Sequence, residues 1–149
     1  MTTIKQTLEV KTEFYDNGQV RYREFRVNGK CHRDPAEGPA YEGFYKNGQL
    51  ERRLFQVNSN LHRDPKEGPA LESFYENGQL KCQRFKINNI LHRDPKNGPA
   101  VEWFYENGQL DIQQFWVNGV QIKEPEKTLA CECGGTKTKT PHSSWCPLY

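Results

Sequence analysis

The string Phe-Tyr-x-Asn-Gly-Gln, followed by Val or Leu, begins at Phe14, Phe44, Phe74 and Phe104, always 30 residues apart. A second ring recurs at Phe25, Phe55, Phe85 and Phe115, so these two repeat positions hold all eight phenylalanines of the chain. Asn28, Asn58, Asn88 and Asn118 follow at a constant offset. The string His-Arg-Asp-Pro-x-x-Gly-Pro-Ala begins at His32, His62 and His92, and in the fourth copy decays to Ile122-Lys123-Glu124-Pro125. Self-similarity at such a period is the mark of an array in which one small unit stacks on the next. The array is expected over residues 5–122. Residues 123–149 differ in composition and read as a separate C-terminal tail.

Each unit reads as strands, and helical periodicity is absent. Asn-Gly pairs such as Asn47-Gly48 are strong hairpin signals, because a type I′ turn needs two residues tolerant of positive φ. A two-residue loop there sets Tyr45 opposite Leu50, Tyr41 opposite Leu54, Glu42 opposite Arg53 and Ala40 opposite Phe55. Alternation then places Ala40, Glu42, Phe44, Arg53 and Phe55 on one face, and Tyr41, Tyr45, Leu50 and Leu54 on the other. A second turn is expected at Asn58-Ser59 and its equivalents. The segment from Arg63 to Pro69 is expected to be a loop, since Pro65 lacks an amide donor and Gly68-Pro69 breaks regularity. The expected fold class is all-β: an antiparallel meander of β-hairpin repeats forming an elongated, twisted single-layer sheet or solenoid. The eight Phe rings are expected to form its core, because only 34% of the chain is hydrophobic while 12% is aromatic.

The hairpin string followed by Val-Asn-Gly resembles the MORN repeat family in its shorter variant form, over about four-fifths of the chain. The form with His-Arg-Asp and Gly-Pro-Ala is similar to repeat proteins of large DNA viruses of amoebae, and related variants occur as antitoxin-like proteins of bacteria. The resemblance implies a β-hairpin array. It also implies roles in scaffolding, membrane junctions and phosphoinositide contact.

His32, His62 and His92, with Asp34, Asp64 and Asp94, form the first candidate for chemistry. An Asp before Pro is a turn initiator whose carboxylate accepts backbone amides. Successive imidazoles are also expected roughly 9–10 Å apart, from the strand spacing, too far to share a metal. A structural role is therefore expected, with His62 opposite Phe55 and covering its ring. Glu42 and Arg53 are expected to make an exposed ion pair, repeated as Glu72 with Gln83 and Glu102 with Gln113. Cys31 and Cys82 read as small hydrophobes.

The tail carries the sharpest signal. Cys131, Cys133, His142 and Cys146 make a Cys₃His set, a tetrahedral zinc composition. The spacing C-x1-C-x8-H-x3-C partly resembles a zinc knuckle, C-x2-C-x4-H-x4-C. A structural zinc is the expected cofactor, ordering a tail too small to fold alone. The tail is also expected to cap the last sheet edge, with Trp103 and Trp116, confined to the last repeat, as anchors.

Net charge is +2, from 21 basic and 19 acidic residues. That balance lacks the basic stripe of a nucleic-acid binder, and neither nucleic acid nor a membrane surface is an expected partner. The N-terminal residues lack the apolar core of a signal peptide, and no apolar run approaches the ~20 residues that span a bilayer. A cytoplasmic or virion location is expected, neither secreted nor transmembrane. No nucleophile, base and oxyanion donors occur together. The expected function is a non-enzymatic interaction or scaffolding module, its protein partner lying along a sheet face or edge. Self-association, a structural role in a virus particle with virion proteins as partners, and antitoxin-like neutralisation of a partner are the alternatives.

Overall fold

The computed structural model describes residues 6–126. Its first strands are β1 (Leu8–Phe14), β2 (Val20–Val27), β3 (Lys30–Cys31), β4 (Tyr41–Phe44), β5 (Leu50–Leu54), β6 (Gln56–Val57) and β7 (Asn60–Leu61). They continue as β8 (Leu71–Phe74), β9 (Leu80–Arg84), β10 (Lys86–Ile87), β11 (Ile90–Leu91), β12 (Val101–Phe104), β13 (Leu110–Val117) and β14 (Val120–Ile122). One antiparallel sheet runs β1-β2-β4-β5-β8-β9-β12-β13-β14, with β3 paired to β2. The strands of β6-β7 and β10-β11 form two small hairpins. The sheet is an open meander, all-β as expected, and among the described residues the only helical turn is a 3₁₀ turn at Pro95–Asn97.

The first turn of each unit is not the type I′ turn that its Asn-Gly pair suggests. In Tyr45–Gln49, the Tyr45 N–H donates to the Gln49 carbonyl and the Gly48 N–H donates to the Tyr45 carbonyl. Only Gly48 has positive φ there, at 87°. This is a three-residue loop closed by a glycine bulge. Asn47 is present for its side chain: Oδ1 accepts the Gln49 N–H, and Nδ2 donates to the Glu76 carbonyl of the next unit. Both central residues take positive φ at the second turn instead, Asn58 at 51° and Ser59 at 68°. That is the type I′ signature.

A second bulge, further along the strand, shifts the register. Tyr41 pairs with Leu54 and Glu42 with Arg53 as expected, but Phe44 pairs with Leu50, where Tyr45 was expected. Glu51 is the extra residue, so Leu50 moves to the face of Phe44.

Ala40, Ala70 and Ala100 have no exposed surface, and Phe55, Phe85 and Phe115 are buried beside them. The second phenylalanine column is thus the spine of the core. The first column is not: Phe44, Phe74 and Phe104 are half-buried, and Phe14 is 58% exposed. Repetition in sequence does not give equal burial at the ends, because a terminal unit lacks one neighbour.

Candidate interaction surface

The loop Arg63–Pro69 folds over one face of the sheet, and its arginine holds it there. The Arg63 guanidinium lies 3.9 Å from the centre of the Phe55 ring, Arg33 4.0 Å from Phe25, and Arg93 3.9 Å from Phe85. Nη1 of each donates to the carbonyl of Pro39, Pro69 or Pro99. Gly68 and Gly98 back the same guanidinium groups so closely that an added Cβ would come within 2.7 and 2.8 Å of Nη1. Burial lowers the pKa of Arg63 and Arg93. The ring cover is therefore arginine, in place of the expected histidine.

The histidines do something else. His32 Nδ1 accepts the Asn58 N–H, His62 Nδ1 that of Asn88, and His92 Nδ1 that of Asn118. Each imidazole anchors the type I′ turn of the following unit. Asp34, Asp64 and Asp94 accept the amides of Ala36, Lys66 and Lys96, the expected turn role. Among the described residues, no three His, Cys, Asp or Glu side chains are arranged to hold a metal.

The charged row is also redirected. Arg53 pairs across to Glu72 of the next unit, Arg23 approaches Glu42 at 3.9 Å, and Gln83 donates to Glu102. The donor is always the earlier unit and the acceptor the later one. The expected pairing lay within a hairpin. In the sheet Arg53 stands between Glu42 and Glu72, and it turns to the buried Glu72. A further ladder joins units through tyrosine: the hydroxyls of Tyr15, Tyr45 and Tyr75 donate to the carbonyls of Phe44, Phe74 and Phe104. Tyr105 has no later unit among the described residues, is half exposed, and bonds Asp111, which raises its phenol pKa.

These bonds consume the polar groups that looked most chemical. Cys82 is buried, as expected of a small hydrophobe, and Cys31 is half-buried. Burial raises both thiols, Cys31 up to about 11, which leaves them poor ligands and nucleophiles at neutral pH. Cys131, Cys133, His142 and Cys146 lie outside the described residues.

The opposite face carries the row Tyr22, Tyr41, Arg52, Leu54, Leu71, Arg84, Val101 and Trp103, read from the strand registers. Tyr22 and Tyr41 stack with ring centres 5.9 Å apart. Arg52 lies over Tyr41 at 5.7 Å, and Arg84 over Trp103 at 5.3 Å. A cavity of about 480 Å³ opens there between Glu13, Tyr15, Arg21, Tyr41, Glu51 and Arg52. Sequence reasoning saw apolar columns on this face but missed the two ring–guanidinium contacts, Arg52 on Tyr41 and Arg84 on Trp103. The signal was available in the alignment of paired positions across units.

The geometry defines a β-hairpin repeat protein whose units are tied to their neighbours by side-chain ladders. The family model of the MORN repeat variant matches residues 70–85 and 100–118, within the third and fourth units. No curated protein and no solved structure matches the chain. No helix among the described residues is long and apolar enough to cross a membrane.

Proposed function

We propose that the chain is a non-enzymatic interaction module, its protein partner lying across the face of Tyr22, Tyr41, Arg52, Arg84 and Trp103. The observation that carries this is the run of stacked, half-exposed rings and guanidinium groups over successive strands of one face. Tyr, Trp and Arg are the residues that dominate binding energy at protein interfaces, because they offer large contact area and satisfied polar tips. The other face is overlaid by its own loops, and its histidines and aspartates are engaged in backbone bonds. That arrangement supports a scaffold in preference to a catalyst. A virion protein or a toxin as the captured partner would specify the role further.

Arg21 and Arg52 are exposed, so reversing both charges tests the surface without touching the core. Affinity capture from the native source with the wild-type chain and with Arg21→Glu/Arg52→Glu should give one specific partner. The variant is expected to bind it at least about tenfold more weakly, with an unchanged melting temperature. Equal capture by both chains would place the partner elsewhere.

A further inference from the structure

Asparagine is followed by glycine seven times in the chain. In this pair the backbone nitrogen of the glycine can attack the asparagine side-chain amide, because glycine puts no side chain in the way. The nitrogen must be free to reach the amide carbon. In six of the seven pairs it is held, because its N–H donates to a carbonyl. Gly18, Gly48, Gly78 and Gly108 bond the tyrosine three residues back at 2.9–3.0 Å, Gly98 bonds Pro95 at 3.3 Å, and Gly119 bonds Leu91 at 2.9 Å. Among the described residues, the Gly29 N–H has no acceptor.

The turns Asn28-Gly29 and Asn118-Gly119 make a matched pair. Each follows a valine, and their φ values are nearly equal, 50° and 76° against 49° and 80°. What differs is the neighbouring unit. The second turns of the later units are held from the unit before, where the N–H groups of Ser59, Asn89 and Gly119 donate to the carbonyls of Cys31, Leu61 and Leu91. The first unit has no such hold among the described residues. Asn28 and Gly29 are exposed. A Cβ added to Gly29 would meet nothing within 4 Å, whereas one on Gly119 would lie 3.2 Å from Ile90. The Thr7 N–H donates to Asn28 Oδ1 at 3.2 Å, where it can stabilise the charge that gathers on that oxygen during attack.

We propose that Asn28 is a deamidation site, the first of the seven to react, independently of where a protein partner binds. The Gly29 nitrogen gives up its proton to hydroxide and bonds to the Asn28 side-chain carbonyl carbon. The bond from that carbon to Nδ2 breaks, and the nitrogen leaves with a proton as ammonia. Water then opens the resulting cyclic imide at either carbonyl, giving aspartate or isoaspartate. Isoaspartate adds a methylene to the backbone inside the type I′ turn. The turn then loses its two bonds to Thr7, and β1 is released at its start.

Peptide mass spectrometry on the full chain, aged in mildly alkaline buffer with and without denaturing urea, tests this. In the folded chain Asn28 is expected to convert at least about fivefold faster than Asn118, the factor that one extra backbone hydrogen bond supplies. In urea the two rates should converge, since the flanking residues match. Amide exchange in β1 should quicken in the aged chain while the Phe55 amide stays protected. Equal rates at Asn28 and Asn118 in the folded chain would overturn the proposal, and so would the same ratio in urea, which would assign the difference to sequence alone. Unchanged exchange in β1 after conversion would overturn the release of the strand.

Discussion

Phe55→Ala is expected to lower stability by about 3–5 kcal/mol, the range for emptying a buried aromatic site. Phe55 is 3% exposed. Its ring is the surface on which Arg63 rests, beside the strand whose Ala70 carbonyl accepts the Phe55 N–H. Removing the ring therefore opens a cavity and also strands a desolvated guanidinium, whose Nε already lacks a partner among the described residues. Phe14→Ala, at an equally regular sequence position but 58% exposed, is expected to change stability by no more than about 0.5 kcal/mol. Urea titrations of the two variants check the contrast. A loss of similar size in both would mean that burial follows the repeat and not the position along the array.

Gly98→Ala is the second large effect. Gly98 sits at φ 125° and ψ −175°, a conformation essentially closed to residues with a side chain. An added Cβ would meet Arg93 Nη1 at 2.8 Å, so the arginine would have to leave its place over Phe85. Strain alone costs about 1–3 kcal/mol, and displacement of the guanidinium adds the loss of its bond to Pro99 and its ring contact, together about 3 kcal/mol or more. The two causes can be separated. In an Arg93→Ala background the clash disappears and only the backbone strain remains. Gly98→Ala should then cost less by about 1 kcal/mol or more, a coupling that a double-mutant cycle by thermal denaturation measures. Simple additivity would show that arginine and glycine do not form one clamp.

Much of the fold was legible because repetition multiplies weak signals. One Asn-Gly pair suggests a hairpin. Four at equal spacing, each flanked by the same rings, define a meander. What misled was treating each signal by its commonest use. Asn47 looked like a positive-φ residue and is a side-chain hydrogen-bonding group, and the bulge that follows moved Leu50 to the other face. Register at a bulge depends on one residue, and neither alternation nor propensity decides it. The site was harder to read, because its contacts run between units and a repeat is naturally read one unit at a time. His62 was expected to cover a ring while its Nδ1 serves the turn of the next unit, and Arg53 passed over Glu42 to reach Glu72. The arginine clamp had a signal, since Arg33, Arg63 and Arg93 recur with Gly38, Gly68 and Gly98. Without coordinates, nothing tied a loop cation to a strand ring.

These contacts make the array modular: each unit is held by its neighbours, with no deep common core. Excising residues 62–91 removes one period and rejoins Leu61 to His92, recreating the Leu-His junction of the parent. The shortened chain should keep a β-sheet circular dichroism spectrum and unfold cooperatively at a lower midpoint. Deleting 62–76 alone, which breaks the 30-residue phase, should unfold it. Loss of structure in the full-period deletion, or a native spectrum in the half-period one, would contradict an array of interchangeable units.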